Sequence, residues 1–258
     1  MINFDFLQKI EELQIGIMHG GSKKFPFGEY FFGIEDKSSY WSHLLTNKVL
    51  LIHEVEESAK YAIEDGAKPA IYFENRGDLK ELQNLLSNNN YKKTAEDSWM
   101  FYVKKEIGQK NFDLVKKVES VQDLEIFIDV FDRCYQKDDP QNVYGELGDY
   151  LKSAARAWSQ LHESGKLEYF TVFDGDEPVA VTALTNYGGI GYISNVGSLR
   201  KVRGKGFGKT ATLFAVFQSQ KNGNKLHCLA TEENTYPNGF YKRIGFETKF
   251  TALLLEKG

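Results

Sequence analysis

The chain is short of cysteine, long apolar runs and excess charge of either sign, and each shortage removes a class of protein. Cys134 and Cys228 are its only cysteines, far apart and without the Cys/His spacing of a structural zinc. Neither a disulfide framework nor a metal module therefore organises the fold, and no metal site is expected. The longest apolar runs, such as Leu253-Leu254-Leu255, fall far short of the ~18 to 20 residues that span a bilayer. The start, Met1-Ile2-Asn3-Phe4-Asp5, turns acidic within a dozen residues and has neither a basic n-region nor an apolar h-region. Together these predict no membrane partner and a cytoplasmic location. With 32 Lys+Arg against 36 Asp+Glu the formal net charge is −4, which argues against a nucleic-acid partner. What is present is 258 residues, 41% of them apolar, enough for one large domain or two modest ones.

Hydrophobic spacing predicts an α/β chain. Phe4, Leu7, Ile10 and Leu13 recur at helical spacing, as do Val55, Ala59, Ala62 and Ile63. A strand at Ala70–Phe73, a leucine helix through Leu79, Leu82, Leu85 and Leu86, and a strand at Ser98–Val103 follow. The polar stretch Gly108-Gln109-Lys110-Asn111 interrupts the pattern, so the boundary is drawn there, giving domains 1–109 and 110–258. Beyond it the spacing predicts a strand at Leu114–Val118 and a helix through Leu124, Phe127, Val130, Phe131 and Cys134. A second helix runs from Leu147 to Leu161. A three-stranded antiparallel meander over Leu167–Val196 is next, then a glycine-rich turn, a helix over Gly206–Lys221 and a strand at Leu226–Thr231. A short helix at Phe240–Arg243 and a final hairpin, Phe246–Leu255, complete the order. The segment from Ile71 to Tyr102 echoes that from Cys228 to Leu255. Two readings stay open: chance recurrence of strand, helix, strand, and a degenerate N-terminal copy of the C-terminal fold.

The informative stretch is Arg203-Gly204-Lys205-Gly206-Phe207-Gly208-Lys209-Thr210, between a strand and a helix. Its glycines permit a tight turn with positive φ and leave backbone N–H groups uncovered at the positive end of a helix dipole, an arrangement that suits a pyrophosphate. Arg203, Lys205 and Lys209 add charge. It is not a Walker loop, which needs its first glycine where Arg203 stands, and the dinucleotide fingerprint also fails.

With the run Tyr241-Lys242-Arg243-Ile244-Gly245-Phe246-Glu247 about 35 residues later, this stretch resembles the GCN5-related N-acetyltransferase (GNAT) superfamily over roughly residues 112–258. Arg203, Gly206 and Gly208 match the family's Arg/Gln-x-x-Gly-x-Gly/Ala signature. The resemblance implies a mixed, mostly antiparallel sheet flanked by helices, with acetyl-CoA as acyl donor and a small-molecule or peptide amine as acceptor. It further implies that the backbone around Gly204–Lys209 holds the diphosphate, with Thr210 as an extra donor, and that Val196, Gly197 and Ser198 pair with the pantetheine arm. The Val196 N–H would polarise the thioester carbonyl, Asn234 would contact the cofactor arm, and Tyr241 would protonate the departing thiolate. Pro237 and Arg200 depart from the residues common in the family. A general base is also required, and Glu232 and Glu233 are the candidates, against their reading as solvated loop carboxylates.

The expected function is direct acetyl transfer to a primary amine in a ternary complex. Two alternatives keep the fold: a non-catalytic CoA-binding sensor, and a tandem transferase with an aminoacyl-tRNA donor. The intact glycine loop and negative charge weigh against the second. Other conspicuous residues have ordinary readings. Cys228 and His227 are structural strand residues, Gly20-Gly21-Ser22-Lys23-Lys24 is a mobile loop, and the aromatics from Phe25 to Trp41 are core.

Overall fold

A computed structural model describes residues 4–258. In chain order the elements are α1 (Phe4–Leu13), β1 (His19–Phe25), β2 (Gly28–Gly33), β3 (His43–Leu45), α2 (Ile52–Glu64), β4 (Ala70–Glu74), α3 (Lys80–Asn88) and β5 (Tyr91–Tyr102). Then come β6 (Val115–Lys117), α4 (Val121–Cys134), α5 (Asp149–Leu161), β7 (Leu167–Asp174), β8 (Glu177–Tyr187), β9 (Ile190–Ser198), α6 (Phe207–Lys221), β10 (Leu226–Glu232), α7 (Tyr236–Ile244) and β11 (Phe246–Lys257). Mixed α/β structure with mostly antiparallel strands and flanking helices is the architecture the resemblance implies. The contacts divide the chain into two compact units. The first holds residues up to Trp99 with Thr231–Glu233 and Thr248–Gly258, the second Met100–Ala230 with Asn234–Glu247.

In the first unit the strand order is β1-β2-β3-β4-β11-β5. Only the β3–β4 pairing is parallel among the registers from β1 to β11. The apolar faces of α2 and α3, through Val55, Ala62, Leu82 and Leu86, close on Tyr30, Ile71, Phe73 and Leu253. Two expectations are corrected here. Gly20–Lys24 is no loop but most of strand β1, paired with β2 from His19↔Gly33 to Phe25↔Gly28. Its glycines lie under an aromatic ring: a Cβ on Gly20 or Gly21 would come within 3.1 or 2.9 Å of Phe32. The expected C-terminal hairpin is a single twelve-residue strand, β11, whose second half pairs with β4 from Ala252↔Glu74 to Glu256↔Ala70.

Side chains of α1 and of four of these strands form a buried polar cluster. His19 places Nε2 2.7 Å from Glu11 Oε2 and Nδ1 3.1 Å from the Trp41 carbonyl, so both of its nitrogens face acceptors. Burial alone would raise the Glu11 carboxyl, but His43 and His19 outweigh it and hold it at about 2. Nearby, the Tyr72 hydroxyl donates to Asp97 Oδ2 at 2.9 Å and accepts from Trp99 Nε1 at 2.9 Å. Burial pushes the Asp97 carboxyl up to about 6 against the Tyr72 hydrogen bond, with the charges of Glu11 and Glu232 adding to the rise. Because the folded state raises this pKa from 3.8, the contribution of Asp97 is fully present below that value and is lost as pH rises through about 6. Asp97→Asn keeps an acceptor for Tyr72, and is expected to stabilise the protein above pH 6 by about 2 to 3 kcal/mol. Urea unfolding between pH 4 and 8 checks this: the gain should vanish at the acid end.

In the second unit the order is β10-β9-β8-β7-β6, antiparallel except for β9 with β10. Helix α4 starts at a reciprocal cap, in which the Asp123 N–H donates to Ser120 Oγ at 3.1 Å and the Ser120 N–H to Asp123 Oδ2 at 3.0 Å. Helix α6 buries Ala215 and Val216 against Phe170, Leu184, Ile193 and Leu229. At its far end Ser219 Oγ lies 2.7 Å from His227 Nδ1 and accepts from Asn224 Nδ2, while burial pulls the His227 pKa down. The imidazole is thereby tied into a structural hydrogen-bond pair with α6, and Cys228 on the neighbouring position is fully buried with its thiol pushed up by burial.

Candidate functional site

The local geometry begins in β9. Its register against β8 runs evenly from Tyr187↔Ile190 to Ala183↔Ser194, then slips so that Val181 faces Gly197. The slip is a bulge at Asn195 and Val196, and Asn195 adopts the left-handed conformation with φ 52°. The bulge changes which face the strand presents. A Cβ on Gly191 would point at Ser219 of α6, whereas one on Gly197 would meet Cys134 of α4 at 2.7 Å. Strict alternation would put both on one face. Tyr135 Oη holds the bulge by donating to the Val196 carbonyl at 3.0 Å, and Tyr150 Oη lies 2.7 Å from Asn195 Oδ1. On the other side, β10 pairs with β9 only over Leu226–Cys228 against Ile190–Tyr192, so the end of β9 parts from that neighbour.

After β9 a turn of 3-10 helix, Arg200–Val202, leads into the glycine loop. Gly204 and Gly206 have φ of 79° and 96°, a region that a side chain disfavours by roughly 1 kcal/mol or more. Gly206 caps α6, whose first helical bond is Thr210 N–H to Gly206 O at 2.9 Å. The N–H groups of Phe207, Gly208 and Lys209 therefore lack an intrahelical acceptor. They stand at the positive end of a fifteen-residue helix.

A cleft of about 420 Å³ opens here, within the second unit and in the range typical of ligand sites. Nine of the residues expected to bind the donor line it: Val196, Gly197, Ser198, Arg203, Gly204, Gly206, Phe207, Gly208 and Lys209, together with Tyr241. Lys205 does not, and its ammonium lies 3.9 Å from Asp174. Thr210 is buried, with its N–H given to Gly206, and Asn234, at φ 62°, also lies outside the lining. Glu232 ends β10 and Glu233 follows it, both among the contacts of the first unit, where the Glu233 N–H donates to Glu96 O at 2.8 Å. They do not line the cleft, and among the described residues no carboxylate does.

Helix α7 supplies Tyr241. Thr235 caps it by accepting from the Asn238 N–H, and Pro237 sits in its first turn, where a missing N–H costs nothing. Gly245, at φ 118°, ends it. The Tyr241 ring packs on Phe240 and Phe246, and burial first, then the neighbouring Tyr144, pushes its hydroxyl pKa well above the usual value. The phenol stays protonated at every physiological pH. Cys134 also lines the cleft, but burial pushes its thiol up to about 12, so it is no nucleophile.

Several lining residues were not singled out by the sequence: Tyr135, Gln141, Asn142 and Tyr144 from the α4–α5 loop, and Tyr236 and Arg243 from α7. Arg243 is an unspecified position within the Tyr241–Glu247 run, and none of the others belongs to a signature motif. Only their chain position beside α4 or within the Tyr241 helix could have pointed to them. The cleft wall thus combines cations, uncovered amides and aromatic rings without an acid, which fits an extended anionic ligand.

No curated protein sequence matches the chain. Solved structures resemble it over nearly all its length at low identity. A GCN5-related N-acetyltransferase from Kribbella flavida is 17% identical with a TM-score of 0.66, covering 96% of this chain and 94% of its own. A conserved protein of unknown function from Staphylococcus epidermidis is 11% identical, TM-score 0.66, over 95% and 96%. A tandem GNAT protein from the clavulanic acid biosynthesis pathway is 9% identical, TM-score 0.55, over 89% and 78%. At these identities the likeness is one of fold. The model of the acetyltransferase (GNAT) family matches residues 125–246, a GNAT domain that runs from α4 through the bulge and glycine loop to the end of α7.

Proposed function

We propose that the second unit transfers an acetyl group from acetyl-CoA to a primary amine by direct attack in a ternary complex. The observation that carries this reading is the convergence on one cleft of the uncovered amides of Phe207, Gly208 and Lys209, the freed end of β9, and the protonated hydroxyl of Tyr241. The amides and the Lys209 ammonium would hold the donor's diphosphate. Val196 to Ser198, parted from β10, would offer backbone groups to the pantetheine arm, and the Val196 N–H would face the carbonyl where negative charge develops. In the reaction the amine lone pair forms the C–N bond, the C–S bond breaks, and the sulfur takes its proton from Tyr241. The proton shed by the acylated nitrogen passes to solvent in the open cleft: no carboxylate lines its wall, and Glu232 and Glu233, the candidates for a base, lie outside it among the contacts of the first unit. The first 109 residues are read as a degenerate copy of the same fold, a reading supported by the fold-level likeness to a tandem GNAT protein.

Thermal unfolding of the wild type and Gly208→Arg, with and without acetyl-CoA, tests the proposal. A Cβ at Gly208 has ordinary contacts, 3.5 Å from Ser198 Oγ and 3.9 Å from Phe240, so the longer side chain enters the cleft without breaking the fold. At about 100 times the dissociation constant, binding adds about 2.7 kcal/mol and raises the wild-type Tm by several degrees. The variant should show no shift. Absence of a shift in the wild type at millimolar acetyl-CoA would remove the acetyltransferase reading.

A further inference from the structure

The signature arginine does not point a free charge at the cleft. Both Arg203 Nη atoms meet the carboxylate of Asp139, Nη1 reaching Oδ1 at 2.6 Å and Nη2 reaching Oδ2. Asp139 is only 5% exposed, and it belongs to the α4–α5 loop. The same Oδ1 accepts from the Gln141 N–H at 3.0 Å, and the Asp139 carbonyl accepts from the Asn142 N–H at 3.0 Å. Asn142 carries the turn onward: its Nδ2 donates to Gly145 O at 2.8 Å and its Oδ1 accepts from the Tyr144 N–H at 3.0 Å. One bidentate ion pair therefore ties the glycine loop to the chain of hydrogen bonds that delivers Gln141, Asn142 and Tyr144 to the cleft. Arg200 adds a looser contact to Asp138 at 3.4 Å, on the exposed side.

We propose that Arg203 is a positioning residue: paired with Asp139, it clamps the α4–α5 loop over the cleft and so sets the wall beside Tyr241, leaving the diphosphate to the amides and Lys209. A planar fork with two parallel bonds suits this task, because it fixes orientation as well as distance. The pair is mostly buried, with side-chain exposures of 22% and 3%, so one charge left alone is costly and the loop opens when either partner is removed. Arg203 also holds the Asp139 carboxyl below its ordinary pKa, so the clamp persists through neutral pH.

The assignment rests on the acetyl-CoA reading only for its binding arm. Amide hydrogen exchange of the full chain is followed in the free protein for Arg203→Gln, Asp139→Asn and the charge swap Arg203→Asp/Asp139→Arg. Exchange at residues 141–145 should accelerate about tenfold or more in both single variants, return toward the wild-type rate in the swap, and leave β7 and β8 unchanged. Wild-type exchange rates at 141–145 in both single variants overturn the clamp, and so does acceleration spread over the whole unit, which would mark simple destabilisation. In the binding arm, acetyl-CoA titrated calorimetrically into Asp139→Asn should bind within about threefold of the wild type, while Lys209→Gln should lose about fivefold or more without loop acceleration. If Arg203→Gln instead loses at least tenfold in affinity and keeps its loop protected, Arg203 is a phosphate ligand and the proposal fails. If acetyl-CoA binds none of the proteins, the donor reading fails, and the exchange arm still decides the clamp.

Discussion

Replacing Tyr241 by phenylalanine is expected to lower kcat for acetyl transfer about 100-fold or more while leaving acetyl-CoA affinity within about twofold. The argument is one of burial and protonation. Tyr241 is 8% exposed and packed between Phe240 and Phe246, so loss of the hydroxyl changes neither the shape of the ring nor its packing. What disappears is the proton that, in the proposed reaction, the sulfur takes as its bond to carbon breaks. Because burial and Tyr144 raise the phenol's pKa above its ordinary value, the hydroxyl is not ionised in the alkaline range. A fall in wild-type rate between pH 8 and 10 therefore does not arise from Tyr241. The same elevation means that the phenolate would not persist, so in the proposed reaction Tyr241 regains its proton promptly from solvent. Pre-steady-state and steady-state rates for the two proteins, measured with whichever amine supports turnover, check the prediction. An unchanged kcat removes the acid from the mechanism. Unaltered ligand-dependent behaviour in a protein with no turnover would favour the CoA-binding sensor.

Gly191→Ala is expected to destabilise the second unit by about 3 kcal/mol. A Cβ at this position would lie 1.8 Å from Ser219 Oγ and 2.7 Å from Ser219 Cβ. Rotating the serine hydroxyl relieves the first clash and not the second, so α6 must move off the sheet, and the Ser219–His227 hydrogen bond goes with it. Adding Ser219→Gly removes the opposing Cβ and should recover part of the loss, less the cost of about 1 kcal/mol for glycine in a helix. Gly188→Ala is a control with a different cause. Nothing lies within 4 Å of its Cβ position, but φ is 56°, so only backbone strain of about 1 kcal/mol is expected. Urea unfolding of the four proteins separates these effects. If Gly191→Ala costs no more than Gly188→Ala, the close approach of α6 to β9 is not a stability determinant.

How far the fold could be read in advance depended on whether an element's signal was local. Helices α1, α2, α3, α4 and α5 place one apolar stripe on one face, and the Leu82/Leu86 and Phe127/Val130/Phe131 spacings are visible without knowing what covers them. The meander β7 to β9 was equally legible, because Asp174–Glu177 and Gly188–Gly189 announce its turns. Strand β1 was not. His-Gly-Gly-Ser-Lys-Lys-Phe has no alternation of its own, and it is a strand because β2 offers hydrogen bonds and Phe32 covers its glycines. The undivided β11 was missed for a related reason. Its course depends on pairing with β4, which lies 170 to 190 residues earlier in the register Ala252↔Glu74 to Glu256↔Ala70 and leaves no local trace.

The site divides in the same way. Arg203 to Gly208 and Tyr241 to Glu247 were recognisable because a loop that must adopt positive φ and uncover its amides admits few residues besides glycine, and those constraints act within a few positions of one another. Sequence alone thus determined most of the helices, the meander and the glycine turn that opens α6. The bulge at Asn195 and Val196, the parting of β9 from β10, the aromatic wall from the α4–α5 loop and the Arg203–Asp139 clamp were decided by tertiary structure. Each depends on a register or an ion pair between segments up to 64 positions apart, and such partners are chosen by packing, which no local pattern encodes.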